Sequence, residues 1–243
     1  LIPGTLEQVP QPRFLDAQGR EVPADAPVDM IAESVYELRL PPGIRYQPHP
    51  AFALDAAGDP LYADLDEASL GERSQIGDFE HTGTRELDAA DFAYQIKRLV
   101  RPRIESPGLA IFNQIIGLED LAARLQAEVD AGRLDPEGWI DMRQFPLEGV
   151  ETPDPHTLRI RIRGKYPQFL NWLATTFVVP VPWEAERFYG QPGMARRELT
   201  LDMWPVGTGP FMMERNRPLR EMRLARNPEY RGDLYPCEGE PGD

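Results

Sequence analysis

Thr157-Leu158-Arg159-Ile160-Arg161-Ile162-Arg163 alternates without a break, with apolar Leu158, Ile160 and Ile162 set against Arg159, Arg161 and Arg163. Alternation with a period of two is the pattern of a strand, whose successive side chains point to opposite faces, and it leaves no stripe for a helix. The segment predicts a strand with one buried face, entered from a turn at Pro153-Asp154-Pro155. A second stretch of the same kind runs from Ser34 to Leu40. There Tyr36, Leu38 and Leu40 oppose Glu37 and Arg39 until Pro41-Pro42-Gly43 ends the pattern. Two helices lie between these strands. Asp88 caps the first, with Asp91 three residues on and Phe92, Ile96 and Leu99 at helical spacing before Pro102. The second covers about Leu118 to Ala131, with Leu118, Leu121, Ala122, Leu125 and Val129 on one stripe and Gly132 to terminate it. Strands and helices in this order predict a mixed α/β fold, with both strands in one sheet.

The remaining segments are punctuated by proline and glycine. Residues 1 to about 30 carry Pro3, Pro10, Pro12, Pro23 and Pro27 and read as an extended lead-in. From Gln47 to Thr84, Pro48, Pro50, Gly58, Pro60, Gly71, Gly77 and Gly83 break every period, which predicts a long surface excursion. Beyond the second strand, Phe169, Trp172 and Leu173 form a short helical stripe, Phe177-Val178-Val179 reads as a brief extended piece, and a helix fits Trp183 to Phe188. Trp204-Pro205-Val206-Gly207-Thr208-Gly209-Pro210-Phe211 reads as a tight bend entering a strand, with Met222 to Ala225 as its antiparallel partner.

Composition narrows the function. Among 243 residues, 40 acidic against 26 basic side chains give a net charge of −14, which repels phosphate backbones and anionic lipid and argues against nucleic acid as a partner. No apolar run approaches the roughly 20 residues of a membrane helix. Cys237 is the single cysteine, so an intrachain disulfide and a multi-cysteine metal site are both excluded. His49, His81 and His156 lack the spacing of a metal-binding pair, and Ser34, Ser69, Ser74 and Ser106 lie in no G-x-S-x-G elbow. The carboxylate pairs Asp64/Asp66 and Asp88/Asp91 sit where loops and helix caps account for them. No catalytic residue, metal or cofactor is therefore expected. Arg159, Arg161, Arg163 and Lys165 are expected to form a solvated face paired with acids rather than a ligand site. Trp172 and Trp183 read as core side chains, whereas Trp204, beside a glycine turn, is a candidate ligand contact. Gly207-Thr208-Gly209 lacks the further glycines and the lysine of a phosphate loop. If Gly207 or Gly209 has positive φ or a close backbone neighbour, a change to valine costs about 1 kcal/mol or more.

Five motifs in order carry a resemblance. Val35-Tyr36-Glu37-Leu38-Arg39-Leu40-Pro41-Pro42-Gly43-Ile44-Arg45-Tyr46 resembles an aromatic strand, L-R and a G-V-K-F-like turn, and Leu87 to Arg98 resembles an L-T-A-x-D-V-x-Y-S-x-x-R helix. Val150 with Asp154 to Ile160 is similar to V-x-x-x-D-x-x-T-L-x-I, followed by Pro205 to Phe211 and by Leu224 to Tyr230. All five resemble the family 5 solute-binding proteins of ABC importers. The H-D-G step of that family is replaced here by Gln47-Pro48-His49-Pro50, and the stretch after Ala51 resembles an insertion.

The resemblance implies a periplasmic-binding-protein-like class II fold present in part, a first-lobe segment with its small extra subdomain and without the second lobe. It implies three segments: a lead-in over 1–33, the small subdomain over 34–180 with an insertion at about 47–84, and the beginning of the main sheet over 181–243. It further implies a monomeric, non-enzymatic binding protein outside the cytoplasm, whose export signal and second lobe would lie beyond these residues. Its partners would be a peptide or other small solute and a membrane permease. Trp204, Gly207, Thr208 and Gly209 are the expected ligand-binding residues. A ligand-sensing domain of a regulator with the same fold, a carboxylate-based hydrolase and a structural interaction module are the alternatives.

Overall fold

A computed structural model describes residues 4–104 and 106–232; Cys237 lies outside the described residues. In chain order the elements are β1 (Arg13–Leu15), β2 (Glu21–Val22), β3 (Glu33–Arg39), α1 (Glu67–Leu70), α2 (Ala89–Arg98), α3 (Gly108–Phe112), α4 (Leu118–Asp130), β4 (Val150–Asp154), β5 (Thr157–Arg163), α5 (Phe169–Leu173), α6 (Trp183–Tyr189), β6 (Phe211–Arg217) and β7 (Glu221–Arg226). They build a five-stranded sheet, ordered β2-β1-β3-β5-β4, and a separate β6-β7 hairpin.

The two alternating stretches are neighbours, as the sequence predicts. β3 and β5 pair antiparallel from Glu33 opposite Arg163 to Arg39 opposite Thr157. This register puts Tyr36 opposite Ile160 and Leu38 opposite Leu158 on the buried face. On the other face Arg161 meets Glu33 at 3.1 Å, and Arg159 meets Glu151 at 2.8 Å and Glu37 at 3.3 Å. Arg163 pairs with Glu119 at 2.9 Å, and Lys165 donates to the Ala24 carbonyl at 2.7 Å. The basic row is thus a paired outer face. Its exposed pairs each contribute at most about 1 kcal/mol.

α2 and α4 cover the buried face of the sheet. Asp88 accepts from the Asp91 N–H while the Asp91 carboxylate accepts from the Asp88 N–H, a reciprocal cap that starts α2. Leu118, Leu121 and Leu125 of α4 are fully buried, and Gly132 ends that helix at φ +68°. With Phe112, Ile115 and Phe169 they complete the first core. The lead-in is more than a connection, because β1 and β2 extend the sheet and Phe14 is buried.

Two expectations need correction. The stretch from Gln47 to Thr84 is not a surface excursion: Ala51, Phe52, Leu70 and Phe79 are buried, together with Tyr46 just before it. They meet Phe188, Tyr189, Met194, Leu199, Trp204 and Val206 in a second core. Their irregular spacing among prolines and glycines hides this burial from any periodicity, and the covering residues come from far along the chain. Phe177-Val178-Val179 is likewise not an extended piece, since Thr176–Val178 forms a 3-10 turn. Only Val179 is extended (φ −61°, ψ 137°), because the ring of Pro180 restricts just the residue before it.

Candidate functional site

The turn between Trp204 and Phe211 joins the second core to the β6-β7 hairpin, and its main chain is held from several sides. Tyr189 donates from its hydroxyl to the Trp204 carbonyl at 2.8 Å. The Gln47 side chain donates to the Pro205 carbonyl at 3.1 Å and accepts from the Gly207 N–H at 3.2 Å, while the Gln47 N–H donates to the Gly207 carbonyl at 2.9 Å. Asn227, itself buried, donates from its side chain to the Gly209 carbonyl at 2.8 Å and from its N–H to the Pro210 carbonyl at 2.9 Å. Within the described residues, Thr208 bonds to no other group through its N–H, carbonyl or hydroxyl, and the Gly209 N–H is likewise free. Five carbonyls between Trp204 and Pro210 are thus engaged by Tyr189, Gln47 and Asn227. The outer polar groups, centred on Thr208, remain open to a ligand.

The four sequence candidates fall into two groups. Gly207, Thr208 and Gly209 lie at the partly open surface of the turn. Trp204 does not join them: it is 3% exposed, packs in the second core and donates its ring N–H to the Glu198 carbonyl at 3.1 Å. A ring so enclosed supports the turn from beneath and offers no face for stacking. The condition attached to the two glycines is not met. Neither Gly207 nor Gly209 has positive φ, and a Cβ built at Gly207 would meet nothing closer than 4.0 Å. The backbone bends here through Pro205, Pro210 and side-chain bonds instead of left-handed glycine conformations.

Behind the turn stand residues to which the sequence analysis assigned no such role. His49 is 1% exposed and packs edge-on against Phe52 and Phe188. Its Nδ1 accepts from the Ala51 N–H at 3.1 Å, which leaves the proton on Nε2 to be donated to the Tyr189 hydroxyl at 2.8 Å. Burial pushes the imidazole down to about 3 and the Tyr189 hydroxyl well above its ordinary value, so both stay neutral. Farther out, Arg85 bonds both Asp91 (2.6 and 2.9 Å) and Glu184 (2.7 and 2.8 Å) and lies over the rings of Tyr46 and Phe52. Burial opposes its charge, but the bonds to Asp91 and Glu184 hold the guanidinium protonated. The signal in the sequence was the replacement Gln47-Pro48-His49-Pro50; nothing there pointed to Tyr189, which lies 140 residues from His49.

A cavity of about 360 Å³ lies elsewhere, between the sheet, α2 and the 170–180 segment. Leu38, Phe92, Ile96, Leu158 and Ile160 line it, and its only polar side chains are Thr5 and Thr175. It offers packing and few groups for main-chain recognition. Among the described residues no cluster of His, Cys, Asp and Glu could hold a metal ion, and no helix is long and apolar enough to cross a membrane.

The family model of bacterial extracellular solute-binding proteins, family 5 Middle, matches residues 81–238, well over half of the chain. This chain belongs to family 5 of the bacterial extracellular solute-binding proteins. The matched range includes α2, β5, the turn and the hairpin, four of the five motifs that carry the resemblance. A similar protein is Di/tripeptide-binding protein 2 of Pseudomonas aeruginosa, 24% identical over 188 residues, which are 74% of this chain and 34% of that protein. Among solved structures, Listeria monocytogenes OppA bound to peptide aligns with a TM-score of 0.48 and 14% identity, over 93% of this chain and 30% of the other. The Escherichia coli murein tripeptide binding protein MppA gives 0.46 and 18%, over 90% and 32%. This family 5 chain spans about a third of the length of the relatives it matches.

Proposed function

We propose that this chain is the first-lobe part of the solute-binding component of an ABC importer, and that its solute is a peptide. The observation that carries the reading is the turn: five of its carbonyls are tied to Gln47, Tyr189 and Asn227, whereas among the described residues Thr208 and the Gly209 N–H have no partner. Fixed, unsatisfied main-chain donors and acceptors suit a peptide backbone, which presents the same groups in every sequence. In this reading residues 34–180 are the small subdomain, residues after about 181 begin the main sheet, and Gly207, Thr208 and Gly209 face the ligand with Trp204 as their support. The protein works outside the cytoplasm as a monomer, delivers its solute to a membrane permease and performs no chemistry. The name of the Pseudomonas relative, a di/tripeptide-binding protein, favours short peptides as the solute class.

Half a cleft leaves one side of a ligand in water with its polar groups unmatched. Calorimetric titration with one pool of di- and tripeptides should therefore give binding to the complete gene product and weak or undetectable binding to these 243 residues alone. Submicromolar binding by the short chain would overturn the half-cleft reading. No binding by the complete product would overturn the peptide assignment.

A further inference from the structure

Gln47 is 6% exposed and makes three bonds to one turn: two through its side-chain amide, to Pro205 and Gly207, and one through its own N–H, to Gly207. The amide is oriented by its partners, because a carbonyl requires the NH₂ end and an N–H requires the oxygen end. The preceding carbonyl, that of Trp204, is taken by Tyr189, whose hydroxyl accepts in turn from His49, two residues beyond Gln47. His49 is anchored by its antiparallel bridge to Gly83, with N···O distances of 2.9 and 3.1 Å. Two consecutive carbonyls of the turn are therefore held, that of Pro205 directly by Gln47 and that of Trp204 by Tyr189, which His49 positions. Pro205 has no N–H of its own, so at that position the turn holds to its surroundings only as an acceptor.

We propose that Gln47, backed by His49 and Tyr189, is the positioning residue of the Pro205–Gly209 turn, setting the direction in which Thr208 and the Gly209 N–H present themselves. The proposal rests on the reading of that turn as ligand-facing. Gln47 touches no ligand in it. By fixing the inner side of the turn before binding, it removes an ordering cost that would otherwise weaken affinity.

Two variants of nearly equal shape separate positioning from general stability. Gln47→Met removes both side-chain bonds, whereas Gln47→Glu keeps an acceptor for the Gly207 N–H and loses the donor to Pro205. Both would be made in the complete gene product and followed by residue-resolved amide exchange, the Pro205 carbonyl carbon shift and calorimetry with the same pool of di- and tripeptides. In Gln47→Met, Gly207 exchange should quicken about tenfold or more while the amides of β3 and β5 keep their protection, and affinity should fall about tenfold. In Gln47→Glu, Gly207 should stay protected while the Pro205 carbon shift moves. Unchanged Gly207 exchange in Gln47→Met, or equal loosening of Gly207 and the sheet amides, would overturn the proposal. Should Gln47→Glu fail to fold, the Gln47→Met result decides alone. Loss of Gly207 protection with unaltered peptide affinity would uphold the positioning role and remove the turn from the ligand site, a failure of the functional reading alone.

Discussion

His49 shows how far one buried residue departs from its ordinary chemistry. Its imidazole is held neutral by burial down to about pH 3, whereas in the unfolded chain it titrates near 6.5. Between those values the unfolded state binds more protons, so stability rises with pH across the window and is lost as pH falls from about 6.5 toward 3. The slope is about 1.4 kcal/mol per pH unit. Denaturant titrations at about pH 6.5 and about pH 5 should differ by about 2 kcal/mol in the wild type. The difference should shrink by most of that amount in His49→Gln, whose amide does not titrate. Parallel losses in the two proteins would show that other groups carry the pH dependence.

At the scale of elements, close approach of backbones separates the glycines that matter from those that do not. A Cβ at Gly83 would lie 2.0 Å from the Phe52 carbonyl oxygen and 2.6 Å from its carbon, beside the His49–Gly83 bridge that closes the 47–84 segment on itself. The same atom at Gly207 would meet nothing nearer than 4.0 Å, and at Gly209 nothing at all within that distance. Gly83→Ala should thus cost about 2 kcal/mol or more, while Gly207→Ala and Gly209→Ala should stay within about 0.5 kcal/mol. Chemical denaturation of the three variants checks this; an equal loss at Gly207 would restore the architectural role that its sequence motif suggests.

Over the whole molecule, the two cores are fastened by charge as well as by packing. Glu186 on α6, 5% exposed, accepts from Tyr94, from Arg98 at 2.5 Å and from Arg101 at 2.9 Å, all on or just after α2. Arg85 joins Asp91 of α2 to Glu184 of α6 in the same way, and Phe92 and Leu201 pack against both cores. The cores should therefore unfold together. In a variant with Trp139, Trp172 and Trp183 changed to Phe, Trp204 emission, from the second core, and far-ultraviolet dichroism, dominated by the sheet and the helices on it, should give coincident transitions. Glu186→Ala leaves two arginines partly buried without their carboxylate and should lower stability by about 3 kcal/mol. Separate transitions in that single-tryptophan variant would show that the fastening is weaker than the geometry implies.

The sequence by itself determined the elements whose side chains repeat with a period. The alternation of β3 and β5, the Asp88 cap of α2 and the leucine stripe of α4 were all legible, because each is written within a dozen residues and owes little to distant contacts. The arginine row could be read as a paired face because the acids opposite it, Glu33 and Glu37, lie on an equally regular strand. The string from Pro205 to Phe211 placed the candidate turn, but not the roles of its residues. Only the tertiary structure buried Trp204 and freed Thr208, and only it turned the proline-rich 47–84 stretch into half of a second core. The physical reason is the same in each case: Gln47, His49, Tyr189 and Trp204 bond and pack across separations of up to 160 residues. Hydrogen bonds and burial at that range obey no local period, so folding must bring the partners together before their roles exist.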